Sequence, residues 1–288
     1  MEPTQRIRVA DDLRLEVASA GPRDAPPVVL VHGNGPNCRQ FEPQFTTLAD
    51  RYRLIAPSLR GHGRSDMPSE PTVEDFTVAR LAQDVLAVLD HLEVERAHLV
   101  GNSLGGLVGF ELATTVPERL ATLTTFGTAA QLRSSAALVW TVRGTVAALG
   151  TTVTGRLAGR SAADPEVGRT IAGLMAEADR RAVGFVSRNI ATYDYIPSLR
   201  GSTVPWLLLR GELDRGINRV LGSTLGVVDA REDAQRVDLT AAGHFANLER
   251  PAAFDEALEA FLRRHLPPAE RPGPQQRGIT EGGDGPDG

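Results

Sequence analysis

The sequence predicts an α/β fold: a mostly parallel central sheet flanked by helices and interrupted by one helical insert. Three observations carry this. Short apolar runs alternate with amphipathic segments through the first third of the chain and again after position 206, a pattern that calls for right-handed crossovers between parallel strands. Between 129 and 199 the strand-like runs stop and helical spacing takes over. At Gly101-Asn102-Ser103-Leu104-Gly105 a buried strand meets a helix, with glycines on both sides of a serine, as in a sharp strand-to-helix turn.

Taken in order, residues 7–9 and 13–18 read as a strand pair at the sheet edge. The run 28–31 is continuously apolar and ends in glycine-rich sequence, which fits a strand buried on both faces. Residues 54–56 repeat that pattern and close in Pro57. From 73 to 91, Val78, Leu81, Val85 and Leu89 recur at the three- and four-residue spacing of a helix. A strand at 98–100, a helix from 104 to about 116 and a strand at 120–126 follow.

Within the insert, Ser134 and Ser135 are candidate caps for a helix ending at Gly150. Asp164-Pro165-Glu166 starts another, because the aspartate oxygen meets free N–H groups where proline lacks one. Strands at 206–209 and 236–239 and a helix at 252–265 complete the alternation. Residues 267–288 are rich in Pro, Gly, Gln and charge without apolar periodicity, and disorder is expected there. The expected domains are a core of 1–128 and 200–266, a helical cap of 129–199 and the 267–288 tail.

Composition removes whole classes of chemistry. All 31 basic residues are arginine, so a lysine Schiff base, a Ser–Lys dyad and a phosphate-loop lysine are impossible. Cys38 stands alone, which excludes an intrachain disulfide or thiolate metal cluster. A net charge of −5 suggests no basic face, so nucleic acid is not an expected partner. No run approaches the roughly 20 apolar residues of a membrane span, and residues 1–9 lack a signal-peptide core. The expectation is a cytoplasmic monomer or homodimer, without membrane or cofactor, acting on a small molecule.

Ser103 is the candidate nucleophile. Side chains at Gly101 or Gly105 would collide in so tight a turn, and the helix N-terminus beyond it favours a developing oxyanion. A serine needs a base, and the base needs an orienting acid. Of six histidines, His91 and His265 fall on helix surfaces and His98 begins a strand. His32 and His62 sit in glycine loops. His244, in Ala242-Gly243-His244-Phe245, stands between the last strand and the last helix, the place for the base in the chain order Ser, Asp, His. Gly211-Glu212-Leu213-Asp214-Arg215 offers two carboxylates after the strand at 206–209; Asp214 is preferred and Glu212 is the alternative. The loop Gly61-His62-Gly63-Arg64-Ser65-Asp66 reads as structural, with Ser65 and Asp66 making local backbone bonds.

Together, His32-Gly33-Asn34-Gly35, the 61–66 loop, Gly101–Gly106, Gly211–Asp214 and Ala242–Pro251 resemble the α/β-hydrolase superfamily, in the expected order and over about 28–265. The resemblance implies that the backbone N–H groups of Asn34 and Leu104 form an oxyanion hole, and that the insert is a cap over the site. Residues 101–106 look like carbon–carbon bond hydrolases of diketo acids. Residues 127–130 and 244–251 look more like 3-oxoadipate enol-lactonases. Ser103 stands where dehalogenases and epoxide hydrolases carry aspartate.

The expected function is a serine hydrolase cleaving a carboxylic ester or lactone through an acyl-enzyme, with no metal or organic cofactor. Alternatives are a carbon–carbon bond hydrolase, a metal-free perhydrolase and a non-enzymatic ligand receptor. Trp140, Phe185, Arg188, Tyr195 and Phe245 are the candidate substrate contacts, Arg188 for a carboxylate.

Overall fold

The computed structural model describes residues 4–10, 12–133, 155, 159, 160 and 162–266. Its frame is an eight-stranded sheet: β1 (Thr4–Ala10), β2 (Leu13–Ala20), β3 (Pro27–Val31), β4 (Arg53–Pro57), β5 (Ala97–Asn102), β6 (Leu120–Phe126), and the later β9 (Trp206–Gly211) and β10 (Ala234–Leu239). The spatial order is β1-β2-β4-β3-β5-β6-β9-β10. Pairings β1–β2 and β2–β4 are antiparallel, and the five others are parallel. Both faces of β3 and β5 are buried, which is why their sequences are unbroken apolar runs.

One face is covered by α2 (Val78–His91) and α3 (Leu104–Thr115), which put Leu81, Val85, Val88 and Leu107 into the core. The other is covered by α1 (Glu42–Leu48) and the carboxy-terminal helix, with Phe41, Phe45, Phe126, Phe254 and Phe261 in one cluster. α1 has only seven residues, too few for its periodicity to stand out in the sequence.

Two short strands outside the sheet, β7 (Gln131–Arg133) and β8 (Thr192–Asp194), pair antiparallel. They correct the expectation that the insert holds no strand; three residues give no alternation to read. Between them lie α4 (Pro165–Ala176) and α5 (Arg180–Asn189). Asp164 caps α4 by accepting from Glu166 N–H at 2.7 Å, with Pro165 in the first turn. The helix expected from Ser134 to Gly150 and the 267–288 tail lie outside the described residues. After β8 come α6 (Ile196–Arg200), α7 (Arg215–Asn218), α8 (Gly222–Asp229), α9 (Ala246–Glu249) and α10 (Pro251–Arg264). No described helix is long and apolar enough to cross a membrane.

Beneath the 61–66 loop, Arg60 grips Asp84 with two bonds of 2.6 Å, Nε to Oδ2 and Nη2 to Oδ1, both side chains being buried. Burial pushes the Asp84 carboxyl up, against the pull of Arg60. Asp84→Ala strands a buried guanidinium and lowers the unfolding free energy by about 3–5 kcal/mol. Urea titration checks this, and Arg60→Met with Asp84→Leu costs far less.

Candidate active site

The chain steps from β3 to β4 on one side and then to β5 on the other, so a crevice opens at the carboxyl ends of β3 and β5. Val31 pairs with Gly101 across it. The loops that follow therefore lie side by side: a Cβ on Gly33 would sit 3.4 Å from that of Ser103.

Ser103 has φ 50° and ψ −109°, a strained conformation for a residue with a side chain. Its neighbours enforce it. Ser103 N–H donates to Phe126 O at 2.9 Å, and the Thr128 hydroxyl donates to Ser103 O. A Cβ on Gly101 would lie 2.3 Å from the Gly105 carbonyl, and one on Gly105 would lie 2.0 Å from Val31 O. No larger residue fits at either glycine. Among the described residues, neither Asn34 N–H nor Leu104 N–H has an acceptor, so both donors are available to an anion.

The orientation of the Asn34 donor has a visible cause. His32 Nδ1–H donates to Gly33 O at 2.7 Å, while its Nε2 accepts from Leu59 N–H at 2.9 Å. The ring is thereby neutral, with its tautomer fixed; burial, and next the nearby His62, lower its pKa to about 3. In a trans peptide C=O and N–H point opposite ways, so holding Gly33 O aims Asn34 N–H away from His32.

Asp214 caps α7 with Oδ1, which accepts from Ile217 N–H at 3.2 Å, and turns Oδ2 to His244 Nδ1 at 2.8 Å. Glu212 is bonded elsewhere, accepting from Ala241 N–H at 3.1 Å, and of the two carboxylates it is Asp214 that contacts His244. The His244 loop is gripped from below, since the Glu249 carboxylate accepts from Gly243 N–H and Phe245 N–H. The Ala242–Pro251 segment contains Glu249, but nothing in the sequence marks its role.

A buried chain of amides ties these loops together. Asn102 Nδ2 donates to His244 O at 3.1 Å, and Gln40 Nε2 donates to Asn102 Oδ1 at 3.0 Å. Asn247 Nδ2 reaches Gln40 O at 2.9 Å and Gln44 Oε1 at 3.0 Å; Gln44 Nε2 reaches Asp255 Oδ1 at 2.9 Å. Burial raises the Asp255 carboxyl pKa.

Ser103, Asn34, Asp214, His244 and Phe245 line one cavity of about 610 Å3. Leu104 is not among the lining residues and follows Ser103 as the first residue of α3. Arg160 and Arg215 also line it, and neither has a carboxylate partner among the described residues. Three expected contacts are corrected. Phe185 stacks on Phe76 with ring centroids 5.4 Å apart, Tyr195 donates its hydroxyl to Glu111 at 2.8 Å, and Arg188 is exposed; none of the three is among the residues that line the cavity. Their side chains face the core or solvent because the helix and turn that carry them pack that way. Trp140 lies outside the described residues. His62 is buried with its pKa lowered to about 4 by burial, and Ser65 and Asp66 bond the backbone at Ser58 and Arg14. Among the described residues, no three His, Cys, Asp or Glu are grouped to hold a metal ion.

Comparisons with known proteins agree with the fold. The 3-oxoadipate enol-lactonase 2 of Acinetobacter baylyi is 29% identical over 272 residues, 88% of this chain and 95% of that protein. The crystal structure of the enol-lactonase from Burkholderia xenovorans LB400 superposes with TM-score 0.78 at 27% identity, covering 90% of this chain and 99% of that one. A thermophilic esterase from Thermogutta terrifontis gives TM-score 0.77 at 25% identity, covering 92% and 99%. The family model for the α/β hydrolase fold matches residues 26–251. The chain belongs to the α/β-hydrolase family.

Proposed function

We propose that the chain is a serine hydrolase that cleaves a carboxylic ester or lactone of a small organic acid through an acyl-enzyme on Ser103. The observation that carries this reading is the His244–Asp214 pair opening on the same cavity as the strained Ser103. With Nδ1–H committed to Asp214, His244 Nε2 keeps its lone pair and accepts the Ser103 proton as Oγ attacks the carbonyl carbon. The carbonyl electron pair moves to oxygen, where the Asn34 and Leu104 N–H groups stabilise it by about 3 kcal/mol per donor. As the tetrahedral carbon collapses, the C–O bond to the leaving group breaks, and that oxygen takes the proton from His244. Water repeats the sequence on the acyl-enzyme, releasing the acid and restoring Ser103. Asp214 steadies the imidazolium throughout.

Similarity to enol-lactonases and an esterase supports ester or lactone chemistry. Arg160 and Arg215 support a substrate that carries a second acid group, because guanidinium groups favour carboxylates and these two have no carboxylate partner among the described residues. A fluorophosphonate probe tests the reading: it labels the native chain and not Ser103→Ala. A panel of p-nitrophenyl esters and lactones, with and without a free carboxylate, then ranks the substrates. Equal labelling of the variant, or no labelling and no turnover by the native chain, overturns the proposal.

A further inference from the structure

Asn34 does two things at once. It lines the cavity, and its backbone N–H has no acceptor among the described residues, while its side chain bonds the insert. Asn34 Nδ2 donates to Val183 O at 3.2 Å and to Ser187 Oγ at 3.0 Å, both on α5. The Ser187 hydroxyl spends its own proton on Val183 O at 2.7 Å, so its oxygen is oriented to accept. Asn34 Oδ1 faces His62 Nε2 at 3.3 Å.

The loop needs such a tether. Asn34 stands between Gly33 and Gly35, and Gly35 has φ +112°, so the flanking backbone does little to hold the peptide in one rotation. His32 holds the Gly33 carbonyl from within the core. The remaining freedom is removed from outside, by α5. That helix is itself firmly seated: Asp179 N–H at its start donates to Gly61 O at 2.8 Å, Ala182 and Val186 are buried in the main core, and Phe185 lies on Phe76.

We infer that Ser187 is a positioning residue for the oxyanion hole: through the Asn34 side chain, the insert sets the direction of the Asn34 N–H. This deepens the function proposed above and rests on it. The insert thereby acts on the rate of the chemical step, beyond covering the substrate. A misdirected donor weakens an interaction made only in the transition state, so the loss appears in kcat and not in KM.

The experiment compares the native chain with Ser187→Ala, Ser187→Thr and Asn34→Ala, the last of which keeps the backbone donor and loses the tether together with the contact to His62. Ser187→Ala is expected to lower kcat about tenfold with KM within about twofold. Its inhibition by a trifluoromethyl ketone, whose hemiketal oxyanion occupies the same hole, weakens by the same factor, and the melting temperature stays in place. Ser187→Thr restores the hydroxyl and the rate. Asn34→Ala loses a similar factor, and adding Ser187→Ala to it costs no more. Unchanged kcat in Ser187→Ala, or a fall in kcat with ketone inhibition unaltered, overturns the inference while fluorophosphonate labelling of Ser103 leaves the function standing. A native chain without labelling or turnover takes both down.

Discussion

Asp214→Asn lowers kcat by about 10⁴ and leaves KM within a few-fold. The bonds around Asp214 explain why so small a change costs so much. Oδ1 accepts from Ile217 N–H and Oδ2 from His244 Nδ1–H. An asparagine has one acceptor oxygen for these two donors. If the oxygen stays with Ile217, the amide NH2 faces His244 and favours the tautomer protonated on Nε2, which cannot take the Ser103 proton. Steady-state kinetics on the best ester or lactone reads the effect, with Glu212→Gln as the control. Glu212 accepts from Ala241 N–H and does not touch His244, so that variant stays within about threefold of the native rate. Similar losses in both variants would remove Asp214 from its assigned role.

Lowering the pH from 7 to 5 takes roughly 4 to 6 kcal/mol from the unfolding free energy. Three histidines carry this. Burial is the first cause in each: it lowers His32 to about 3, and His62 and His98 to about 4, from 6.5. The folded state therefore stays largely unprotonated at these rings between pH 6.5 and 5, while the unfolded chain takes up close to three protons. Stability is full above the unfolded value and falls as the pH drops through the window, by up to about 1.4 kcal/mol per unit per histidine. Asp84 and Asp255, whose carboxyls are raised by burial, act in the opposite direction. Urea titrations at pH 7, 6 and 5 test the slope, and His98→Gln, remote from the cavity, removes one proton from it. A stability flat to within about 1 kcal/mol would contradict the assignment of these rings as neutral.

What could be read in the sequence follows a physical line. The sharp turn at Ser103 was legible because it tolerates nothing but glycine at 101 and 105, so the backbone geometry is written in residue identity. The Asp164-Pro165-Glu166 helix start and the strand at 120–126 were legible for the same reason, as local chemistry with local causes. Direction in space was not. Phe185 and Tyr195 are apolar residues of an insert, and nothing in one dimension says that the first turns to Phe76 and the second to Glu111. The choice of Arg188 failed likewise. Arg215 had a signal, since it follows Asp214 directly, whereas Arg160 had none. Asp214 and Glu212 were separable only once each had a bonding partner.

The buried amides of Asn102, Gln40, Asn247 and Gln44 bear on how the protein breathes. Each amide has its donor and acceptor ends assigned by its neighbours, so none can flip without stranding a polar group. Opening the His244 loop therefore breaks the bond that holds Asn102, and loosening α1 breaks the bonds that hold Asn247. Segments 200 residues apart in the chain become one cooperative unit for local unfolding. Native-state hydrogen exchange is expected to show their amide hydrogens opening together, at a free energy close to that of global unfolding.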